Sequence, residues 1–141
     1  MISSVFPVVC CDDLDEARDF YVELLDLVVE FESGWYTTMT SLAEPRIRLG
    51  FVQAGHPSLP DSLARRAAGV LISVIVADVE AVHRTALAMG AEVVWELQDE
   101  AFGQRHFMVT DPTGLVIDII TETRPSRAFL AEVARWRRAN R

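Results

Sequence analysis

The stretch that decides the fold runs from Phe102 to Ile120 and reads FGQRHFMVT, DPTG, LVIDII. Two runs rich in β-branched and aromatic residues flank the turn 111–114. Asp111 caps this turn, the following proline presets its φ, and Gly114 accepts a positive φ. A type I turn followed by a left-handed glycine predicts a β-hairpin with a three-residue loop and a bulge.

The register of this hairpin predicts which side chains share one face. They are His106, Met108, Val116, Asp118 and Ile120. A buried carboxylate among apolar side chains costs free energy, so we expect Asp118 to belong to a site. Three roles stay open for it: a general base, a hydrogen-bonding partner for a ligand's polar end, or half of a structural ion pair with Arg105. Burial raises the pKa of such a carboxyl unless a cation or donors compensate.

Composition limits the class of protein. The chain has 141 residues, half of them hydrophobic and 24% charged, which is typical of a single globular domain. The net charge of −8 argues against nucleic acid or an anionic membrane as the main partner. No apolar run is long enough to span a bilayer, and the first residues do not resemble a secretory signal. We therefore expect a cytoplasmic protein.

The two cysteines, Cys10 and Cys11, are adjacent. On a strand their side chains point to opposite faces, so a disulfide between them would be strained. No disulfide framework or multi-cysteine zinc site is expected, and both residues are predicted to pack as small hydrophobes.

The chain repeats one pattern of elements. An apolar strand precedes Asp13, the predicted N-cap of a first helix that ends at Asp26, and another precedes Asp78, the N-cap of a second helix that ends at Gly90. Each helix is followed by three strands. The predicted strands are Val5–Cys11, Leu27–Glu32, Trp35–Ser41, Arg46–Gln53, Val70–Val76, Ala91–Leu97 and the two arms of the hairpin.

This duplication predicts the fold and the domain organisation. We expect one α+β domain of two pseudo-symmetric βαβββ modules, at about 1–54 and 70–122, with incurved mixed sheets enclosing a cavity. A linker at 55–69 joins them, with a turn of helix at 63–67. A C-terminal helix at 126–140, capped by Ser126, must dock its apolar stripe on the modules or on a second subunit.

Several short motifs together resemble the vicinal oxygen chelate superfamily, which contains glyoxalase I, extradiol dioxygenases, and fosfomycin and bleomycin resistance proteins. They are Asp13-Leu14 with Phe20-Tyr21, Asp78-Val79 with Gly90-Ala91, Phe102-Gly103-Gln104-Arg105, and Asp111-Pro112-Thr113-Gly114. The resemblance covers about residues 5 to 122. It implies paired βαβββ modules, frequent dimers, and sites that line the incurved sheets.

The resemblance also implies four metal-ligand positions, of which three are apolar here. They fall at Phe6, near 49–51, at Leu71 and at Asp118. Phenyl and isobutyl groups offer no lone pair, and one carboxylate cannot hold a catalytic divalent cation. We therefore expect no metal and no cofactor, although His106 on the same face as Asp118 offers a partial two-residue site. Whether the protein is an enzyme stays open, and no catalytic residue is assigned.

Other single residues allow two interpretations each. His106 is either an acid–base group or a satisfied polar wall residue, and Gly103 is either a lid hinge or a bulge. His56 and His83 are expected to face solvent. The aromatic and thioether side chains of the predicted site form a pocket wall or ordinary core.

The sequence favours a homodimeric protein that binds a small, largely apolar organic molecule without a metal. The predicted ligand-binding residues are Phe6, Trp35, Leu71, Ser73, Phe102, His106, Met108 and Asp118. Resemblance to bleomycin resistance proteins suggests sequestration, and the negative charge is compatible with cationic ligands. Two alternatives remain: a divalent-metal-dependent lyase, isomerase or dioxygenase of the same superfamily, and an association module whose cavity is filled by its own side chains.

Overall fold

The structure, a computed structural model, describes residues 1–141. It contains β1 (Val8–Cys11), α1 (Leu14–Leu25), β2 (Val28–Glu32), β3 (Tyr36–Thr40), β4 (Arg48–Gln53), β5 (Leu71–Ile75), α2 (Val79–Ala88), β6 (Glu92–Glu100), β7 (Gln104–Thr110), β8 (Val116–Glu122) and α3 (Arg127–Ala139). The eight strands form two four-stranded sheets. The predicted α+β class, with two βαβββ modules and a C-terminal helix, is confirmed. The chain forms two compact units, Met1–Leu71 with Thr110–Val116, and Ile72–Val109 with Ile117–Arg141.

The first unit holds the sheet β1-β4-β3-β2, in which β1 runs parallel to β4 and the other neighbours are antiparallel. The Asp13 carboxylate accepts a hydrogen bond from the Glu16 amide at 3.0 Å, which starts α1. Asp26 ends α1 with a φ of 53°, the left-handed conformation predicted for it. The stripe of α1 buries Tyr21, whose ring lies 5.3 Å from that of Phe51 in β4.

The second unit holds most of the sheet β5-β8-β7-β6. Asp78 caps α2 by accepting from the Ala81 amide at 3.0 Å, and Gly90 follows the helix with a φ of 70°. Phe107 and Val109 of β7 and Ile117 and Ile119 of β8 are fully buried and recur at every second position, so they share one face of the sheet. Ile120, on the other face, is buried as well.

The hairpin turn has the predicted geometry. The Asp111 amide donates to the Leu115 carbonyl at 2.8 Å, and the Gly114 amide donates to the Asp111 carbonyl at 3.1 Å. Gly114 has a φ of 90°. These contacts confirm a turn closed by a left-handed glycine, as Asp-Pro-Thr-Gly predicts.

Most strand ends lie within two residues of the predicted ones, but three predictions differ more clearly from the structure. β1 begins at Val8 instead of Val5, and Pro7 before it has no amide hydrogen to extend the ladder. β6 continues past the predicted end at Leu97 to Glu100, because polar residues at its end still pair in the sheet. The single helical turn of the 55–69 segment is a 3₁₀ turn at Asp61–Leu63 that directly follows Pro60, and it replaces the turn predicted at 63–67.

The C-terminal helix α3 is the most exposed of the three helices. Ser126 caps it by accepting from the Phe129 amide at 3.1 Å, and the Phe129 ring lies 6.4 Å from that of Phe102. No residue of α3 is fully buried. None of the helices is both long enough and apolar enough to cross a bilayer.

Candidate binding site

The second unit brings two predicted site residues into direct contact. His106 on β7 and Asp118 on β8 are only 4% and 5% exposed. The Nδ1 atom of His106 lies 2.7 Å from Oδ1 of Asp118. The period-two alternation of strands places both side chains on one face, as predicted from the register.

The other ring nitrogen of His106 also contacts a carboxylate. Nε2 lies 3.2 Å from Oε1 of Glu100, the last residue of β6, whose side chain is 25% exposed. Only the protonated imidazolium donates from both ring nitrogens. Burial alone lowers the pKa of His106, but the hydrogen bonds to Asp118 and Glu100 outweigh it, so the pKa is raised above its ordinary value. We call Glu100, His106 and Asp118 the charged triplet.

One of the three alternatives for Asp118, a structural ion pair with Arg105, is wrong. The Arg105 guanidinium instead contacts Glu80 at 2.9 Å and Asp99 at 3.4 Å. Arg105 and His106 are consecutive on a strand, so their side chains point to opposite faces of the sheet. The residue that reaches Asp118 is therefore the histidine.

The turn between β6 and β7 holds an aromatic side chain beside the charged triplet. The ring of Phe102 lies 6.3 Å from that of His106 and is 43% exposed. Gly103 has a φ of 96°, and a Cβ there would lie 2.8 Å from Pro125 Cγ and 2.9 Å from the Thr123 carbonyl oxygen. Gly103 is therefore a turn glycine pressed against the chain that follows β8, which favours a fixed bend over a lid hinge.

Two further predicted residues lie on the same sheet. Met108 is partly buried on β7, two positions from His106 and thus on its face. Ser73 is exposed on β5, the strand that neighbours β8. Five predicted site residues thus belong to the second unit: Ser73, Phe102, His106, Met108 and Asp118.

Comparison with known proteins assigns the family. The model of the Glyoxalase/Bleomycin resistance protein/Dioxygenase superfamily matches residues 4–119. The chain belongs to this superfamily. An uncharacterized protein of Mycobacterium bovis is 30% identical over 122 residues, which cover 77% of this chain and 76% of that protein.

Solved structures of the superfamily share its fold. A glyoxalase/bleomycin resistance protein/dioxygenase from Nocardioides has a TM-score of 0.70 at 15% identity, over 88% of this chain and 85% of that one. A bleomycin resistance determinant encoded on transposon Tn5 has a TM-score of 0.60 at 18% identity, over 86% and 98%. At these identities the likeness concerns the fold alone.

The three remaining predicted residues belong to the first unit. Phe6 precedes β1, Leu71 opens β5, and both are exposed. Trp35 stacks on His56, with ring centroids 3.9 Å apart and planes 9° apart. The indole thus has a partner within its own unit.

The expectation that His56 and His83 face solvent is wrong. His56 is half-buried against Trp35. His83 lies edge-on to Phe107 at 4.9 Å, and its Nε2 atom is buried without a hydrogen-bond partner. Both imidazoles contact aromatic rings. The position of a histidine in a helix or a loop of the sequence does not predict such a contact.

The side chains at the superfamily's metal-ligand positions do not fit a divalent cation. Phe6, the segment 49–51 and Leu71 offer no nitrogen or oxygen ligand atom, and Asp118 already contacts His106. The structure gathers no group of three or more His, Cys, Asp or Glu side chains suited to a metal ion. The alternative of chemistry on a bound metal lacks its ligands at these positions.

Sequence reasoning missed two features of these units. The first is Glu100: the predicted strand 91–97 stops before it, although Gly103 three residues later signals the tight turn that extends the strand to it. The second is Asp111, whose carboxylate is 3% exposed and accepts from Tyr21 Oη at 2.6 Å and from Thr113 Oγ1 at 2.6 Å. No local pattern pairs Tyr21 with a residue ninety positions away.

The first unit also contains a cleft with a volume of about 210 Å³, and Cys10 and Arg66 are among the residues that line it. Arg66 Nε donates to the Thr113 carbonyl at 3.4 Å, and Asp12 and Glu16 also line the cleft. None of the predicted site residues lines it.

Proposed function

We propose that this superfamily member binds a small, largely apolar organic molecule at the charged triplet without using a divalent metal. The observation that carries the proposal is a buried imidazole held between two carboxylates beside a half-exposed phenyl ring. Burying two ionisable groups, His106 and Asp118, costs desolvation free energy that an apolar sheet face avoids. Ligand binding explains why these buried charged groups are present, because ligand sites combine apolar walls with a few fixed polar groups.

The charges of the triplet favour one class of ligand. Two carboxylates around one imidazolium leave a net charge of −1, and Glu100 is the exposed member. A ligand that donates a hydrogen bond or carries an amine satisfies Glu100, while its apolar body contacts Phe102 and Met108. We therefore propose an apolar molecule with one cationic or hydrogen-bond-donating end.

We propose that the protein sequesters its ligand and does not convert it. The support for this comes from the fold that it shares with a resistance protein. The Tn5 protein is a bleomycin resistance determinant, and it shares the architecture at 18% identity. We propose a homodimer as well, with neither nucleic acid nor a membrane as partner, because the net charge of −8 repels polyanions.

Native mass spectrometry of protein purified without chelators tests the proposal. We expect a retained small molecule that dissociates on denaturation and is lost from Phe102→Ala. The matched control is Phe31→Ala, which removes an exposed phenyl ring from β2 (57% exposed, against 43% for Phe102) and should retain the molecule. Stoichiometric Fe, Mn, Ni or Zn in the same preparation would contradict the metal-free claim.

A set of matched probes tests the charge preference. Naphthylmethylamine, naphthylmethanol and naphthoate share an aromatic body and differ in the charge of one group. We expect ligand-observed NMR to rank their affinities as cation, then neutral molecule, then anion, with the ranking lost in Glu100→Gln, which removes the charge of the carboxylate that the cation would meet. Preferential binding of naphthoate by the unaltered protein would overturn the proposed ligand class.

A further inference from the structure

The apolar stripe of α3 extends beyond the surface that supports it. Phe129 packs against Phe102 in the second unit, and Val133 one turn later is partly buried. Trp136 lies seven positions after Phe129, on the same helical face. Its side chain is nevertheless 66% exposed. The last turns of α3 therefore present an indole to solvent.

The segment that carries this indole is strongly basic. Residues 124–141 contain six arginines and one glutamate, a net charge of +5. Arg135 and Arg137 flank Trp136 on the helix surface, and Arg138 follows; all three are exposed. The other residues of the chain, 1–123, contain seven basic and twenty acidic side chains, a net charge of −13. The basic charge is thus concentrated in the C-terminal segment of an acidic chain, with four of its six arginines in α3.

The acidic charge is concentrated too, in α1 and β2. Residues 12–32 contain nine carboxylates and one arginine. Arg18 pairs with Asp15, Asp19 and Glu32, and Glu30 pairs with Arg48 of β4. The other five carboxylates of this stretch form no ion pair within the chain. Exposed apolar side chains accompany it, among them Val22 at 43% and Phe31 at 57%. This acidic face therefore pairs apolar surface with negative charge, as α3 pairs apolar surface with positive charge.

We propose that the last turns of α3 in one copy dock on the acidic face 12–32 of a second copy. A twofold arrangement uses each surface twice, since every copy contributes one helix and one acidic face. The −13 charge of the remaining chain repels anionic lipid and nucleic acid, which favours a second copy as the occupant. The inference specifies the surfaces of the homodimer proposed above and is independent of the small-molecule ligand.

Sedimentation equilibrium of the full chain tests the docking. We expect a dimer whose dissociation constant rises with ionic strength, because exposed charges are screened by salt. Arg137→Glu/Arg138→Glu should raise that constant at least about tenfold, since like charges then face each other across the interface. The matched control is Arg65→Glu/Arg84→Glu, which makes the same change in net charge at two exposed arginines outside α3 and should leave the dimer intact.

A charge-exchange experiment identifies the partner surface. Asp19→Arg/Glu23→Arg on the acidic face should also dissociate the dimer. Mixing this variant with Arg137→Glu/Arg138→Glu should restore a dimer, because each helix then meets a face of opposite charge. Fluorescence of Trp136, read in a Trp35→Phe/Trp95→Phe background, should shift to shorter wavelength on association.

Three results would overturn the proposal. If the unaltered chain is monomeric at high micromolar concentration, the proposed homodimer fails together with its interface. If the chain is a dimer that the α3 charge reversal leaves unchanged, only the interface is wrong. If the mixed variants stay apart, or if α3 binds anionic vesicles or nucleic acid while the chain remains monomeric, the acidic face is not its partner.

Discussion

Two buried carboxylates of the same hairpin differ in what holds them. Asp111, 3% exposed, accepts from four neutral donors: the Tyr21 hydroxyl, the Thr113 hydroxyl, and the amides of Thr113 and Leu115. Asp118, 5% exposed, contacts His106, whose other nitrogen contacts Glu100. Neutral donors of fixed geometry make Asp111 part of the fold, whereas the contact with a titratable partner supports the proposed place of Asp118 in a ligand site.

The surroundings of the two carboxylates reinforce this difference. Burial and the nearby Asp111 carboxylate raise the pKa of the Tyr21 phenol far above its ordinary value, so this hydroxyl remains a donor. The charged triplet lies beside the half-exposed Phe102 and includes the partly exposed Glu100. These differences support a structural role for Asp111 and the proposed binding role for Asp118.

The largest expected effect is that of Asp111→Ala. Removing the carboxylate leaves several buried donors without an acceptor, so we expect the free energy of unfolding to fall by about 3–5 kcal/mol. Urea denaturation measures it, with the exposed Glu92→Ala on β6 as a control that stays near zero. A loss no larger than that of Asp118→Asn would contradict the structural role of Asp111.

The second largest loss of stability is expected from a substitution in the turn that carries Phe102. Gly103→Ala forces a non-glycine residue into a φ of 96° and presses its Cβ against the Thr123 carbonyl oxygen. We expect a loss of about 2–4 kcal/mol in the free energy of unfolding, together with weaker probe binding. Gly34→Ala is the control, because a Cβ there meets nothing within 4 Å. Equal stabilities of the two variants would mean that the bend at Gly103 is not fixed.

Asp118→Asn separates the site from the fold. The amide keeps the shape of the carboxylate but removes its charge, so we expect the pKa of His106 to fall and probe binding to disappear. The expected stability loss is about 1–3 kcal/mol, smaller than that of Asp111→Ala. Unchanged probe binding by a folded Asp118→Asn protein would place the ligand elsewhere.

Tyr21→Phe tests one donor of the Asp111 cluster. Removing the hydroxyl deletes the 2.6 Å contact with Asp111 while three donors remain. We expect a loss of about 1–2 kcal/mol in thermal or urea unfolding and no change in probe binding. Tyr36→Phe is the control, because the Tyr36 hydroxyl forms no hydrogen bond within the first unit. A change in probe affinity would show that Asp111 and Asp118 are coupled, which contradicts separate roles for the two carboxylates.

The smallest expected effect is a pH dependence from His106. Its pKa is raised in the folded state, so its contribution to stability is complete below the unfolded pKa of about 6.5 and is lost as pH rises through the folded pKa. The free energy of unfolding of the unaltered protein, relative to that of His106→Gln, should therefore decrease from about pH 6.5 upward. A difference that grows with pH over this range would show that His106 is neutral in the fold.

Much of the fold was predictable from local chemistry. The caps Asp13 and Asp78, the left-handed Asp26, and the Asp-Pro-Thr-Gly turn act through neighbouring residues, and each formed as expected. Alternation along the hairpin placed His106 and Asp118 on one face. Whether those two would pair depended only on the strand register, which the turn determines.

The composition of the triplet was not predictable in the same way. Glu100 joined His106 because β6 extends through polar residues, and sheet pairing at that end depends on tertiary contacts instead of hydrophobic pattern. The contact of Tyr21 with Asp111 joins residues far apart in the chain. The contacts of Arg105 with Glu80 and Asp99 join residues that are closer in the sequence but lie on different elements. Where a side chain has several possible partners, only the folded structure determines which of them it contacts.

The most direct test of the account is the protonation of His106 in solution. Long-range proton–nitrogen NMR correlations report each ring nitrogen separately. At about pH 7 we expect both Nδ1 and Nε2 of His106 to be protonated, with that signature lost in Asp118→Asn. A neutral His106 ring with one unprotonated nitrogen at that pH would contradict the charged triplet and the binding site built on it.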